Sequence, residues 1–142
     1  MRLLLDTGIL ARACHPRRYR EVQEWLLALA ALPHELMVSP ISLYELRRGL
    51  ARRGAQESLE LLSRLTQHLV GLPVTIDAVE EAAALAERAS AGGAEVADAD
   101  LLLAAQAKLA GAVWVRADAK LASLGPSCGV DVRTWQAIGA AS

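Results

Sequence analysis

The segment that decides the fold runs from Asp98 to Asp118 and reads DADLLLAAQAKLAGAVWVRAD. Its first half is apolar on nearly every side, which is typical of a buried helix. Lys108 and Gly111 are the residue types that commonly end a helix. Residues 112–115 then have the pattern of a short buried strand. The acids at the helix start and just past the strand therefore lie where open α/β sheets bind ligands.

Working outward from this segment, short apolar strands alternate with amphipathic helices along the chain. The pattern predicts strands at 2–5, 36–38, 112–115 and 130–132, a brief extended segment at 73–76, and helices at 9–13, 19–32, 41–52, 56–70 and 78–89. A turn of helix is expected at 119–124, and residues 125–126 are expected to form a loop. Alternating strands and helices predict an α/β fold. We expect one domain over residues 1–142, with three α/β/α layers and a mainly parallel sheet of short strands.

Start signals support two of these helices. Ser39 followed by Pro40 is a typical N-cap with proline at the first helical position. Asp77 is predicted to cap the helix that follows it. The helices at 19–32 and 56–70 carry more apolar residues than one small sheet can cover, and we assign part of that surface to a symmetric dimer.

The composition limits the class of protein. The chain has 142 residues, of which 54% are hydrophobic, so it can form a core and is not disordered. No apolar run approaches the ~20 residues that span a membrane. Asp6 interrupts the N-terminal apolar run too early for a signal peptide. Cys14 and Cys128 lack metal-ligand spacing and are expected to be free thiols. We therefore predict a cytoplasmic protein that does not bind membranes.

The charge is unevenly distributed along the chain. The net charge is −1, but residues 1–64 contain 10 Lys and Arg against 7 Asp and Glu, whereas residues 65–142 contain 5 against 9. Most of the basic residues of the first half form three groups: Arg12, Arg17, Arg18 and Arg20; Arg47 and Arg48; Arg52 and Arg53. Such groups usually form a solvated face; the alternative is a surface that holds phosphates.

Four acids are candidates for chemistry: Asp6, Glu45, Asp100 and Asp118. Each has an ordinary structural role when taken alone, as a turn residue, a surface charge or a helix cap. Together they are more informative, because Asp6 and Asp118 follow strands and Asp100 opens a buried helix, so these three meet at one sheet edge. Clustered carboxylates repel one another and require a cation or shared protons. Oxygen ligands suit Mg²⁺ or Mn²⁺, which favours phosphoryl chemistry.

Four segments around these acids resemble the motifs of the PIN domain, most closely the VapC-type ribonuclease toxins of bacterial toxin–antitoxin pairs. They are LLLDT at 3–7, SLYELRRGL at 42–50, DLLLAAQA at 100–107 and VWVRAD at 113–118. The resemblance implies that Asp6, Glu45, Asp100 and Asp118 bind the metal, Mg²⁺ or Mn²⁺, and that Thr7 is the hydroxyl residue after the first acid. It also implies a homodimer and a small antitoxin partner.

The sequence departs from this pattern at two positions. Gly8 stands where the family often has Asn or Ser. Arg116 stands two residues before the last acid, where Thr or Ser is common, and a guanidinium there would pair with an acid or a phosphate. Asp98 competes with Asp100 for the third acid, but the helix pattern fits Asp100. We therefore interpret Asp98 as a helix cap or a supporting acid.

These observations predict a metal-dependent endoribonuclease, with Arg12, Arg47 and Arg48 as candidate contacts to the RNA backbone. One alternative is a non-catalytic RNA- or protein-binding module on the same fold. A minor alternative is a haloacid-dehalogenase-like phosphatase with Asp6 as nucleophile. That chemistry needs a second Asp two residues on, where this chain has Gly8.

Overall fold

The computed structural model describes residues 1–139, which form five strands and seven α-helices. The strands are β1 (Arg2–Leu5), β2 (Glu35–Val38), β3 (Val70–Gly71), β4 (Val113–Arg116) and β5 (Val132–Thr134). The helices are α1 (Thr7–Ala13), α2 (Arg20–Ala30), α3 (Pro40–Arg52), α4 (Gln56–Thr66), α5 (Ile76–Ala91), α6 (Asp98–Ala110) and α7 (Leu124–Cys128), and a 3₁₀ turn follows at Trp135–Ala137. In the described range, no helix is long and apolar enough to cross a membrane.

The five strands form one sheet in the order β3-β2-β1-β4-β5, and every pairing is parallel. The central strand is β1, in which Leu4 is in register with Met37 of β2 and Trp114 of β4. The chain moves outward from β1 through β2 to β3 and then returns to the other side of β1 at β4. In open parallel sheets, the carboxyl ends of the two strands at such a reversal, here β1 and β4, are the usual place for a ligand site.

Both faces of the sheet are covered by helices, because successive strand residues point to opposite faces. Leu3 and Leu5 of β1 belong to a core cluster with Leu29 of α2 and residues of α1, α3 and α4. On the other face, Leu4 lies in a second cluster with Trp114 and with residues of α5, α6 and α7. These two clusters on either side of one sheet confirm the predicted three-layer α/β/α architecture.

The strongest start and stop signals act as the sequence predicts. The Ser39 hydroxyl accepts a hydrogen bond from the Ile41 N–H at 3.2 Å, and Pro40 is the first residue of α3. Gly111 ends α6 with a φ of 63°, a left-handed conformation that glycine adopts without steric cost. The start of α3 and the end of α6 are therefore set by local chemistry.

Some of the weaker boundaries were predicted wrongly. Thr75, rather than Asp77, caps α5, because its hydroxyl accepts from the Ala78 N–H at 3.1 Å. The helix predicted at 56–70 stops at Thr66, and its last predicted residue begins the edge strand β3 instead. The extended segment at 73–76 is not a strand; β3 at Val70–Gly71 is the edge strand there.

The C-terminal part of the chain also differs from the prediction. Gly125 and Pro126 lie inside α7 rather than in a loop, and no helix forms at 119–123. The last strand begins at Val132, two residues later than predicted. Short elements of three to five residues carry too little periodicity to fix their own boundaries.

Candidate active site

Asp6 lies immediately after β1, at the N-cap of α1. Its Oδ2 accepts a hydrogen bond from the Gly8 N–H at 3.4 Å, and its Oδ1 accepts one from the indole N–H of Trp114 at 3.1 Å. Trp114 is fully buried in β4, and the Asp6 side chain is only 10% exposed. The first acid is thus fixed by its own helix and by the neighbouring strand.

Asp100 and Asp118 reach the same edge from other elements. Asp100 lies in the first turn of α6, where the helix dipole favours a carboxylate. Asp118 lies two residues beyond β4, and its Oδ1 accepts a hydrogen bond from the Lys120 N–H at 2.9 Å. Asp6, Asp100 and Asp118 each lie within 3.8 Å of the guanidinium of Arg116.

These three carboxylates surround the guanidinium of Arg116, the last residue of β4. Nη1 of Arg116 lies 3.6 Å from Oδ1 of Asp6 and 3.4 Å from Oδ1 of Asp100. Its Nη2 lies 3.8 Å from Oδ1 of Asp118. The guanidinium also stacks on the Trp114 ring at 4.7 Å from the ring centroid. The arginine that departs from the family pattern thus pairs with acids, one of the two partners expected for it.

Arg116 is almost completely buried, with 8% of its surface exposed. Its Nε is buried and has no hydrogen-bond partner among the described residues. The 3.4 Å contact with Asp100 is a long hydrogen bond, and the contacts with Asp6 and Asp118 are longer ion pairs, so none of the three acids binds the guanidinium tightly. One positive charge against three carboxylates leaves this cluster negative.

Burial raises the pKa of the Asp6 carboxyl above its ordinary value. The positive charge of Arg116 and the hydrogen bonds from Gly8 and Trp114 oppose this shift, whereas the charge of Asp100 adds to it. The net rise in the pKa means that desolvation outweighs the stabilising contacts of the charged form. A further positive charge beside Asp6 would lower its pKa again.

Glu45 approaches the cluster from α3 through Thr7. The Thr7 hydroxyl lies 2.9 Å from Oγ of Ser42 and 3.3 Å from Oε1 of Glu45, so it links the start of α1 to α3. Ser42 is fully buried, whereas Glu45 is half-buried. The Thr7 hydroxyl therefore links Glu45 to the start of α1, one residue after Asp6.

The other predicted residues lie outside this cluster. Asp98 is exposed and is the first residue of α6, whose N-cap is Ala97. Its interpretation as a cap was therefore wrong, and it contributes a charge to the first turn. Arg12 is half-buried and stacks on Tyr19 at 5.1 Å.

Arg47 and Arg48 are exposed on α3, the helix that carries Glu45. Arg48 stacks on the ring of Tyr44 at 5.4 Å, and that tyrosine is itself 64% exposed. Both arginines thus lie on a solvent-facing side of the helix that brings the fourth acid towards the sheet edge.

Two residues of the site were missed by the sequence reasoning. Trp114 donates to Asp6 and stacks against Arg116, whereas the sequence predicts it only as part of a buried strand. Its position two residues before Arg116 places both side chains on one face of β4 and was a usable signal. Ser42, which contacts Thr7, carries no signal that separates it from other helical serines.

The donor set suits a hard divalent cation, because every candidate ligand is a carboxylate oxygen. As the side chains stand, no three or more His, Cys, Asp or Glu of the described residues are grouped to hold a metal ion. Arg116 lies where the acids converge. The chemistry of the ligands fits Mg²⁺ or Mn²⁺, while their shared centre is taken by a guanidinium.

The fold and this acidic edge define an α/β protein with its site at the carboxyl ends of parallel strands. A family model for the PIN domain matches residues 3–125, so the chain belongs to the PIN domain family. Proteins of this family are typically nucleases and are generally metal-dependent. A comparison with curated proteins found no significant match.

Solved structures with the same fold include toxin–antitoxin proteins. VapBC2 from Rickettsia felis, bound to a DNA fragment from its promoter, superposes with a TM-score of 0.82 at 20% identity, covering 95% of this chain and 99% of that chain. A toxin–antitoxin complex from Klebsiella pneumoniae gives 0.69 at 22%, covering 94% and 97%. Mycobacterium tuberculosis VapC20, a sarcin–ricin loop cleaving toxin, gives 0.70 at 22%, covering 87% and 95%. At these identities the likeness establishes the fold.

Proposed function

We propose that this protein is a Mg²⁺- or Mn²⁺-dependent endoribonuclease of the cytoplasm, the toxin of a toxin–antitoxin pair. The observation that carries the proposal is the approach of Asp6, Asp100 and Asp118 to one guanidinium at the carboxyl ends of β1 and β4. Its support from relatives is the PIN family match and the fold shared with VapC20.

Asp6, Asp100 and Asp118 would hold the metal, with Glu45 completing the set directly or through water. A bound divalent ion supplies an activated water and stabilises the charge that develops on a phosphodiester. The chain itself positions the ligands: Trp114 orients Asp6, and Thr7 orients Glu45. Arg12, Arg47 and Arg48 would hold the RNA through its phosphates, because Arg12 lies on α1, which Asp6 caps, and Arg47 and Arg48 lie on α3, which carries Glu45.

The proposed partners are RNA, a second copy of this chain and a small antitoxin. An apolar groove of about 430 Å³ runs between α2 and α4, and its lining includes Leu26, Leu61 and Leu65. Leu27 on its rim is 73% exposed. We call this surface the α2–α4 groove. It lies on the two helices whose apolar surface is predicted from the sequence to form a symmetric dimer. Light scattering that finds only monomer at every concentration would contradict the homodimer.

The nuclease is tested by incubating the purified protein with a structured RNA in Mg²⁺ and in EDTA. Asp100→Asn keeps the shape of a metal ligand and removes its charge, so cleavage should fall by roughly 100-fold or more. Asp98→Asn is the matched control on the same helix and should stay within about threefold of the wild type. If Asp98→Asn is inactive and Asp100→Asn is not, the third acid is wrongly assigned. Cleavage that survives EDTA would overturn the metal requirement.

A non-catalytic binding module is the second candidate, and one observation favours it. Arg116 lies among the acids, so the cluster is partly neutralised by the chain itself. On this alternative the protein binds RNA or a protein partner without cleaving it. RNA binding by the wild type without cleavage in Mg²⁺ or Mn²⁺ would select this alternative.

A further inference from the structure

We propose that Arg116 is the resident cation of the carboxylate cluster and that it competes with a divalent ion for the same place. This inference rests on the proposed function, because that function supplies the reason to expect a divalent ion there. On this inference Arg116 is a positioning residue whose contacts with the acids raise the Kd of the site for a divalent ion.

The contacts of Arg116 support a role as internal counterion. Its two terminal nitrogens lie within 3.8 Å of carboxylates from three separate segments, and no other cationic side chain among the described residues pairs with Asp6, Asp100 or Asp118. Like charges brought this close destabilise one another unless a cation lies between them. The guanidinium therefore allows the acidic edge to form in the absence of metal.

The same geometry makes the guanidinium replaceable. Its contacts of 3.4 to 3.8 Å are longer than those of a tight charge-assisted hydrogen bond, and its Nε is buried without an acceptor in the described part of the chain. An unsatisfied buried donor costs free energy, which departure of the side chain to water would recover. The three acids keep a net negative charge beside Arg116, and they attract a second cation.

A divalent ion and the guanidinium cannot share the centre, because two cations a few ångströms apart repel strongly in a partly buried site. Binding of the ion therefore requires Arg116 to turn away from the acids. The free energy of that displacement is subtracted from the free energy of metal binding. Removing the guanidinium should consequently tighten metal binding, although it adds no ligand.

The test compares Mn²⁺ binding by the wild-type chain of 142 residues and by its Arg116→Met variant, measured by isothermal titration calorimetry and by paramagnetic resonance of free Mn²⁺. Methionine keeps an apolar stem against Trp114 and removes the charge. We expect the Kd for Mn²⁺ to fall by roughly tenfold or more. Arg133→Met is the matched control: Arg133 lies on the neighbouring strand β5 and pairs with Asp131 at 2.8 Å, so its loss should leave the Kd unchanged.

A second measurement uses the wild type itself and does not depend on the folding of Arg116→Met. In ¹⁵N spectra, the Nε–H signal of Arg116, assigned by its loss in Arg116→Lys, should be protected from solvent exchange in EDTA. Saturating Mg²⁺ should remove that protection. A signal that stays protected while Mg²⁺ binds would overturn the competition.

The outcomes separate this inference from the proposed function. If the wild type and Arg116→Met bind Mn²⁺ with the same Kd, or the variant binds more weakly, Arg116 does not compete, and the metal-dependent nuclease is untouched. If neither protein binds Mn²⁺, the competition and the metal-dependent nuclease are both overturned. If cleavage fails while Arg116→Met binds Mn²⁺ more tightly, the competition stands and the nuclease is overturned.

Discussion

The acidic edge and the α2–α4 groove are two regions whose side chains find partners within this chain to different degrees. At the edge, Asp6, Asp100 and Asp118 meet a guanidinium from the same chain. In the groove, apolar walls such as Leu27 remain exposed in the described structure. Unpaired buried charges cost far more than exposed apolar surface. A folded chain must therefore pair its buried charges internally, whereas an exposed apolar surface can be covered by another molecule.

The largest expected effect is a loss of stability when a core residue beneath the α2–α4 groove is shortened. Leu62 lies on α4 between groove residues but is fully buried in the core cluster. Leu62→Ala removes buried methyl groups and leaves a cavity, so it should lower the free energy of unfolding by about 2–5 kcal/mol. Urea denaturation at equilibrium measures this loss. A loss below about 1 kcal/mol would mean that this helix packs loosely and that the groove extends into the core.

The second prediction concerns the hydrogen bond that Trp114 donates to Asp6 in the acidic edge. Trp114→Phe keeps most of the buried ring but removes the donor to Asp6, and it should cost about 1–3 kcal/mol more than Trp135→Phe. The indole nitrogen of Trp135 is buried with no hydrogen-bond partner among the described residues, which makes it the matched control. Thermal unfolding of both variants in EDTA measures the difference. Equal losses would show that the hydrogen bond to Asp6 adds nothing to the stability of the edge.

The third prediction concerns the arginines beside the acids. If Arg12, Arg47 and Arg48 hold phosphates, RNA binding by the inactive Asp100→Asn protein should weaken on the order of tenfold between about 50 and 200 mM salt. The reason is that each neutralised phosphate releases counterions when the complex forms. Fluorescence anisotropy at several salt concentrations measures the slope. An affinity that does not change with salt would show that these arginines do not contact the RNA phosphates.

The smallest effect is expected at the rim of the groove. Leu27→Gln replaces an apolar side chain that is already 73% exposed, so the free energy of unfolding should change by no more than about 0.5 kcal/mol. The same urea experiment that measures Leu62→Ala measures this variant beside it. A clearly larger loss would mean that this chain already covers its own groove, and the contrast with the acidic edge would fail.

Much of the architecture was predictable because it depends on local patterns. Strong periodicity and the Ser39-Pro40 and Gly111 signals located α3 and α6 within a residue or so. Strand ends then placed Asp6 and Asp118 at one edge without any knowledge of strand order. Weak, short elements such as β3 and α7 were misplaced because two to five residues contain little pattern.

The part of the site that could not be predicted depends on long-range packing. The sequence showed that Arg116 breaks the family pattern and that it would pair with an acid or a phosphate. It did not show that three acids share it, because that geometry requires β1 and β4 to be neighbours. The hydrogen bond from Trp114 to Asp6 could not be predicted for the same reason, since it joins β4 to the residue that follows β1.

The position of β1 in the sheet also determines when the site can exist during protein synthesis. Leu3 of β1 pairs with Val113 of β4, 110 residues later in the chain. At roughly 5–20 residues per second, the ribosome finishes β4 several seconds or more after β1 has been made. Until then Asp6 has neither the indole of Trp114 nor the guanidinium of Arg116 beside it. The emerging polypeptide therefore lacks the complete acidic edge until the ribosome has made β4.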